Sequence, residues 1–220
     1  MVAAAKVSDP RELMLARVRR AISGAPTPAP VVRSYRRAGT HERAARVELL
    51  CERLRDYRAE ADVVRPRQLR AAIAEAFARH DAVRVAVPAG VPAVWRPTGL
   101  ELIEDSDQDA CDLDHLDGVL TGATLAIAET GTIVLAGAPA DGRRALSLVP
   151  DLHVCVVADA QIVELVPEAF DRLSALVGVE SRPLTFISGP SATSDIELSR
   201  VEGVHGPRRL VVLVVVSSPR

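Results

Sequence analysis

The segment FISGPSATSDIE, residues 186–197, concentrates more side chains capable of chemistry than any other part of the chain. A short apolar run stops at Ser188, Gly189 and Pro190, and Ser191, Thr193, Ser194, Asp195 and Glu197 follow. Hydroxyls and unpaired amides leading into a helix N-terminus hold anions, because the N–H groups and the helix dipole point at the ligand. The same residues also describe a helix cap. Ser194 and Glu197 stand three apart, as a capping box requires, and Asp195 is favoured near a helix start. Both roles are expected, the cap shaping the loop and the loop binding a small carboxylate or phosphate.

Two further segments carry candidate groups. In AETGTIVL, Gly131 at a tight turn can adopt positive φ and admit a close neighbour, with Glu129, Thr130 and Thr132 beside it. By composition alone those threonines read as local partners in an ordinary hairpin turn. In GVHGP, His205 lies between Gly203 and Gly206 just before the last strand. It is the histidine whose position best suits acid–base or anion-binding work. The cluster CDLDHLD, residues 111–117, reads as a solvated loop, so no metal site is assigned. Dinucleotide-binding, P-loop, nucleophile-elbow and His-Glu-x-x-His signatures are absent from the sequence.

The elements that must position these groups follow from periodicity. Asp9, Pro10 and Glu12 announce a first helix with Leu15, Val18 and Ile22 as its stripe, ending at Gly24. APTPAPVV then reads as an extended linker. A second helix over about residues 40–60 places Val47, Leu50, Cys51, Leu54 and Tyr57 at helical spacing. The two helices are read as an arm, residues 1–60. From residue 61 short apolar strands alternate with helices: ADVV, then RQLRAAIAEAFARH with Leu69, Ile73 and Phe77 on one face, then AVRVAVP and DGVLTG. TLAIAETGTIVLA reads as two strands joined at ETGT. The apolar segments ALSLVP and DLHVCVV follow, then a helix near PEAFDRLSALV, the strand PLTFIS, a short helix near SATSDIELSRV, and RRLVVLVVV. Continuous valine and leucine runs mark strands buried on both faces. Residues 61–220 therefore form a three-layer α/β domain with its last strand inside the sheet, and the Ser188 loop is expected at the carboxyl ends of strands.

Bulk composition sets limits on partners. Formal net charge is −2, so no global basic field points to nucleic acid. The longest apolar run, residues 210–216, is too short to span a bilayer, and the N-terminus lacks a signal-peptide core. Three scattered cysteines, Cys51, Cys111 and Cys155, supply neither a zinc set nor an iron–sulfur set. A cytoplasmic location is expected.

Taken in order and spacing, IAETGTIVL, SLVPDLHVCVV, FISGPSATSDIE and GVHGP resemble the LUD-domain family, and within it the lactate utilization protein C branch. The resemblance covers about residues 82–216. It implies a mostly parallel α/β fold related to ribose-phosphate isomerase, CoA transferases and formyltetrahydrofolate cyclo-ligase, with a helical N-terminal arm. It also implies a non-cluster subunit that takes part in oxidising L-lactate to pyruvate beside A and B type partner proteins. No cofactor is expected on this chain, since the iron–sulfur clusters belong to those partners. The motif positions mark the site: His205, Asp195 and Glu129 for catalysis, and Thr130, Gly131, Thr132, Ser188, Gly189, Ser191, Thr193 and Gly206 for the anion. Two alternatives stand beside this reading. One is a free-standing enzyme on a sugar phosphate, acyl-CoA or folate, and the other is a non-catalytic subunit for small-acid binding or assembly.

Overall fold

The computed structural model describes residues 9–24, 29–32, 34–180, 182–193, 201–202 and 206–217. Contacts divide the chain into two units, Met1–Tyr35 and Arg36–Arg220. In the first, α1 (Pro10–Ile22) starts as its sequence predicts, with Asp9 Oδ1 accepting the Arg11 N–H at 3.0 Å and proline in the first turn.

The second unit is built on a six-stranded sheet. Its strands are β1 (Glu60–Val64), β2 (Arg84–Val87), β3 (Glu101–Glu104), β4 (Gly118–Thr121), β7 (Leu152–Ala158) and β12 (Arg209–Val215), in the order β1-β12-β7-β4-β2-β3. All of its pairings are parallel. The last strand in sequence thus lies between β1 and β7, which explains its uninterrupted valines and leucines: both faces are covered. Its side chains alternate between two cores. Val211 and Leu213 join Val154 and Val156 of β7 under α3 (Leu69–Ala78), which contributes Leu69, Ile73 and Phe77. Leu210, Val212 and Val214 face the other way, with Cys155 and Val157, toward α2 (Arg43–Asp56).

On that second side lies a four-stranded sheet of β8 (Ile162–Val163), β5 (Leu125–Ile127), β6 (Thr132–Leu135) and β9 (Thr185–Ile187), in that order. β5 and β6 form the expected antiparallel hairpin, and β6 pairs antiparallel with β9. Ala126 and Ile133 pack with Leu50 and Leu54 of α2, so the helix is clasped between the two sheets. The opposite face of the small sheet carries Leu125, Ile127 and Val134 against Ala169 and Leu173 of α5 (Val166–Glu180).

Several expectations need correction. The second helix was assigned to an N-terminal arm, but α2 buries Val47, Leu50, Cys51 and Leu54 inside the second unit, while Tyr57 is exposed. ALSLVP contributes a 3-10 turn, Arg144–Ser147, because Leu146 needs only one turn to reach its core. CDLDHLD is partly helical, as α4 (Ala110–Asp114). Leu113 and Leu116 are buried, and Asp117 accepts the N–H groups of Val83 and Arg84, each at 2.8 Å. The helix expected near SATSDIELSRV does not cover its ends. There β10 (Ala192–Thr193) and β11 (Val201–Glu202) pair antiparallel.

Candidate functional site

Four of the anion-site residues named from the sequence meet at one cavity of about 320 Å³. Ser188, Gly189 and Ser191 follow β9, and Gly206 precedes β12. The Ser191 N–H donates to the Pro207 carbonyl at 2.9 Å, which ties the two loops together. The floor is formed by His153 and Leu210, which are paired across β7 and β12 at the first turn of the pleat. Ser147 closes the cavity from the 3-10 turn before β7.

The location differs from the expected one. The loop does follow the carboxyl end of β9, but β9 belongs to the small antiparallel sheet. With respect to the parallel sheet, His153 and Leu210 sit at the amino ends of β7 and β12. The rule that ligands gather at carboxyl ends of parallel strands therefore does not describe this cavity.

His153 is the side chain that sequence reading missed. It occupies an apolar strand position and is 1 % exposed. Its Nε2 lies 2.7 Å from the Thr121 hydroxyl of β4, and its Nδ1 has no hydrogen-bond partner among the described residues. Burial pushes its pKa down to about 4, so the ring is neutral at physiological pH. An unmet lone pair is cheaper to bury than an unmet N–H, so the favoured tautomer has Nε2–H donating to Thr121 and Nδ1 bare. The signal in the sequence was a histidine interrupting LHVCVV, a polar group on a strand that otherwise reads as fully apolar.

Arg144 was missed as well. Its side chain is exposed and makes no hydrogen bond or ion pair to the described residues, while its carbonyl accepts the Ser147 hydroxyl at 3.0 Å. It lines a smaller recess of about 160 Å³ that shares Ser147 and Thr185 with the main cavity. Its guanidinium is a fixed positive charge beside a cavity whose walls combine serine hydroxyls and a neutral imidazole with apolar side chains such as Leu148, Ile187 and Leu210.

The ETGT residues stand apart from the cavity. Thr130 Oγ1 and Thr132 Oγ1 are 2.7 Å apart, and Thr132 Oγ1 is 2.8 Å from Ser188 Oγ. This hydroxyl chain staples the hairpin turn to the end of β9, and it leads to Ser188 at the cavity wall. Gly131 has the positive φ expected of it, +59°. The group that approaches it is α2: an added Cβ would lie 2.7 Å from Arg53 Cβ and 2.9 Å from its carbonyl carbon. Gly189, φ +101°, admits the helix end in the same way, since its Cβ would lie 2.6 Å from Tyr57 Cβ. Both glycines seat α2 against the small sheet. The Glu129 carboxylate is occupied by an ion pair with Arg36. Asp195 and His205, like the cap residues Ser194 and Glu197, lie outside the described residues, and of Thr193 the structure gives the backbone pairing with Val201.

The cysteines do not join the site. Burial pushes the Cys155 thiol up to about 12, so it is not a thiolate at neutral pH, and Cys51 is likewise raised by burial. No group of His, Cys, Asp and Glu among the described residues is arranged to hold a metal ion. No described helix is long and apolar enough to cross a membrane.

Residues 104–215 match the model of the LUD domain. The chain is similar to lactate utilization protein C of Deinococcus radiodurans, 46 % identical over 211 residues that make up 92 % of this chain and 93 % of that protein. It is 33 % identical to lactate utilization protein C of Shouchella clausii over half of this chain and 49 % of the relative. Among solved structures it resembles a DUF162 family protein from Deinococcus radiodurans. That likeness has a TM-score of 0.70 and 42 % identity, covering 80 % of this chain and 99 % of the other.

Proposed function

Because the chain belongs to the LUD-domain family, in its lactate utilization protein C branch, we propose that it is the non-cluster subunit of a cytoplasmic L-lactate utilization system. The observation that carries the role is the likeness to a lactate utilization protein C along nearly the whole of both chains. The step it serves is oxidation of L-lactate to pyruvate, which removes two electrons and two protons from the hydroxy acid. A and B type partners carry the iron–sulfur clusters that take the electrons, and this chain binds the acid.

The cavity over His153 suits that task. Arg144 supplies the charge for the carboxylate, and the Ser147, Ser188 and Ser191 region supplies hydroxyls and amides around it. Once a shift of the ring uncovers its buried Nδ1, neutral His153 accepts the hydrogen of the substrate hydroxyl, which a protonated ring does not do. His205 and Asp195, named from the sequence motifs, are the remaining residues of the proposed site.

Growth of the native host on lactate tests the reading. Deleting the gene should abolish that growth, and the wild-type chain should restore it. Arg144→Ala and Ser191→Ala should leave melting near wild type and reduce lactate-dependent growth or lactate affinity at least about tenfold. A hydrogen bond to a charged group contributes about 1.5–3 kcal/mol. Normal growth of the deletion strain would remove the chain from lactate metabolism, whereas normal growth with both variants would remove only this cavity.

A further inference from the structure

A second cavity, of about 490 Å³, opens at the far end of the parallel sheet. It is lined by Val63 near the carboxyl end of β1, Asp159 directly after β7, Val216 and Ser217 directly after β12, and Arg43, Val47 and the exposed Glu48 from the first turns of α2. Its carboxylates thus outnumber its cations and favour a ligand that brings a positive group. Those three strands are neighbours in the sheet. β12 has seven residues, so this cavity lies about 20 Å from the one over His153 at ~3.3 Å per residue. Unlike the first, it occupies the position where open α/β sheets gather ligands.

One of its buried polar atoms lacks a hydrogen bond. Asp159 is 3 % exposed, and its Oδ2 receives no hydrogen bond from the described residues. The nearest cation, Arg43, stands 3.7 Å away, beyond hydrogen-bond reach, with a largely exposed guanidinium. A buried carboxylate without a donor is costly and calls for an explanation. A charged donor answers it better than a hydroxyl, because a hydroxyl leaves the buried charge uncompensated. Arg43 offers its free donors to an anionic group on the same molecule, and the valines offer an apolar wall.

We propose that this cavity is a binding site for an apolar α-amino acid. The ammonium meets Asp159, the carboxylate meets Arg43, and the side chain lies on Val47, Val63 and Val216. The site is independent of the lactate reading and stands whether or not that reading holds.

Calorimetry and thermal melting of the full chain with L-leucine, glycine and L-lactate test it. L-Leucine should bind and raise Tm with concentration, as a ligand of the folded state does. Glycine, which lacks the side chain, should bind at least about tenfold more weakly. Asp159→Asn should weaken leucine at least about tenfold while its own Tm stays equal or rises, because an unmet amide costs less to bury than an unmet carboxylate. Val63→Ser, at a half-exposed edge-strand position, should weaken leucine and spare the fold. His153→Gln should leave leucine binding unchanged. The proposal fails if leucine does not bind at millimolar concentration, if Asp159→Asn binds it as wild type does, or if L-lactate displaces it as well as leucine itself.

Discussion

Burial holds the His153 imidazole near 4, against an ordinary value of 6.5, so between those two values the unfolded chain binds a proton that the folded chain refuses. Stability should therefore be full above about pH 6.5 and fall as pH drops toward 4, where the folded form also becomes protonated. Urea unfolding of the wild type and of His153→Gln across that range checks this: the variant should lose the part of the slope that His153 contributes. An unchanged slope would mean that the ring is solvated and not the neutral acceptor described above. Thr121 acts through His153. Removing its hydroxyl frees Nε2 and should alter the pH profile of lactate binding while leaving α2 and the small sheet intact.

At the scale of elements, the ETGT turn and α2 are one assembly. Gly131 combines φ +59° with the Arg53 backbone of α2 within 3 Å of where a Cβ would stand. Gly131→Ala adds both left-handed strain and overlap, and Gly131→Val adds a branched side chain to each. The expected loss is about 1–3 kcal/mol for alanine and more for valine, read as a lower Tm. Because α2 covers the sheet face that includes Leu210 and Cys155, lactate binding should weaken only as far as the fold does. A variant that kept its Tm and lost lactate binding would move the turn from packing to the ligand. The strap before α2 is held in the same region. The His41 N–H and ring both bond to Glu164, 3 % exposed, and the Gly39 N–H donates to Glu168. Burial alone would raise the Glu164 carboxyl, but the His41 bonds outweigh it and hold the group below its ordinary value.

For the whole molecule, the division of labour predicts that the isolated chain is colourless. Two of its three cysteines are buried thiols with raised pKa, and the third, Cys111, is exposed and far in sequence from both. Anaerobic reconstitution followed by visible absorption and iron determination should find no stoichiometric cluster on this chain, and a stoichiometric cluster would overturn the role proposed for its partners. The architecture itself was largely legible in the residues. Continuous valine and leucine runs marked β7 and β12 as strands covered on both faces, as in a parallel sheet, and the spacing of Leu69, Ile73 and Phe77 placed α3 on one face of it. These signals are local, since the covering of a strand or helix face writes a period of 2 or 3.6 into the chain that builds it. Ser188, Gly189, Ser191 and Gly206, singled out in the sequence as small and polar residues beside strands, do line one cavity. The sequence did not reveal that the first helix after the linker belongs between two sheets, whereas the composition of ETGT did read Thr130 and Thr132 as partners within the turn, where their hydroxyls lie 2.7 Å apart. Asp159 left no such mark, and the histidine that interrupts LHVCVV marked a polar group without showing what it faces. Each looks like an ordinary strand or strand-end residue until Leu210 and Gly206 arrive at one end of the sheet and Val63 and Arg43 at the other. Which loops share a cavity depends on strand order and register across residues more than a hundred positions apart, and no periodicity within a segment encodes that.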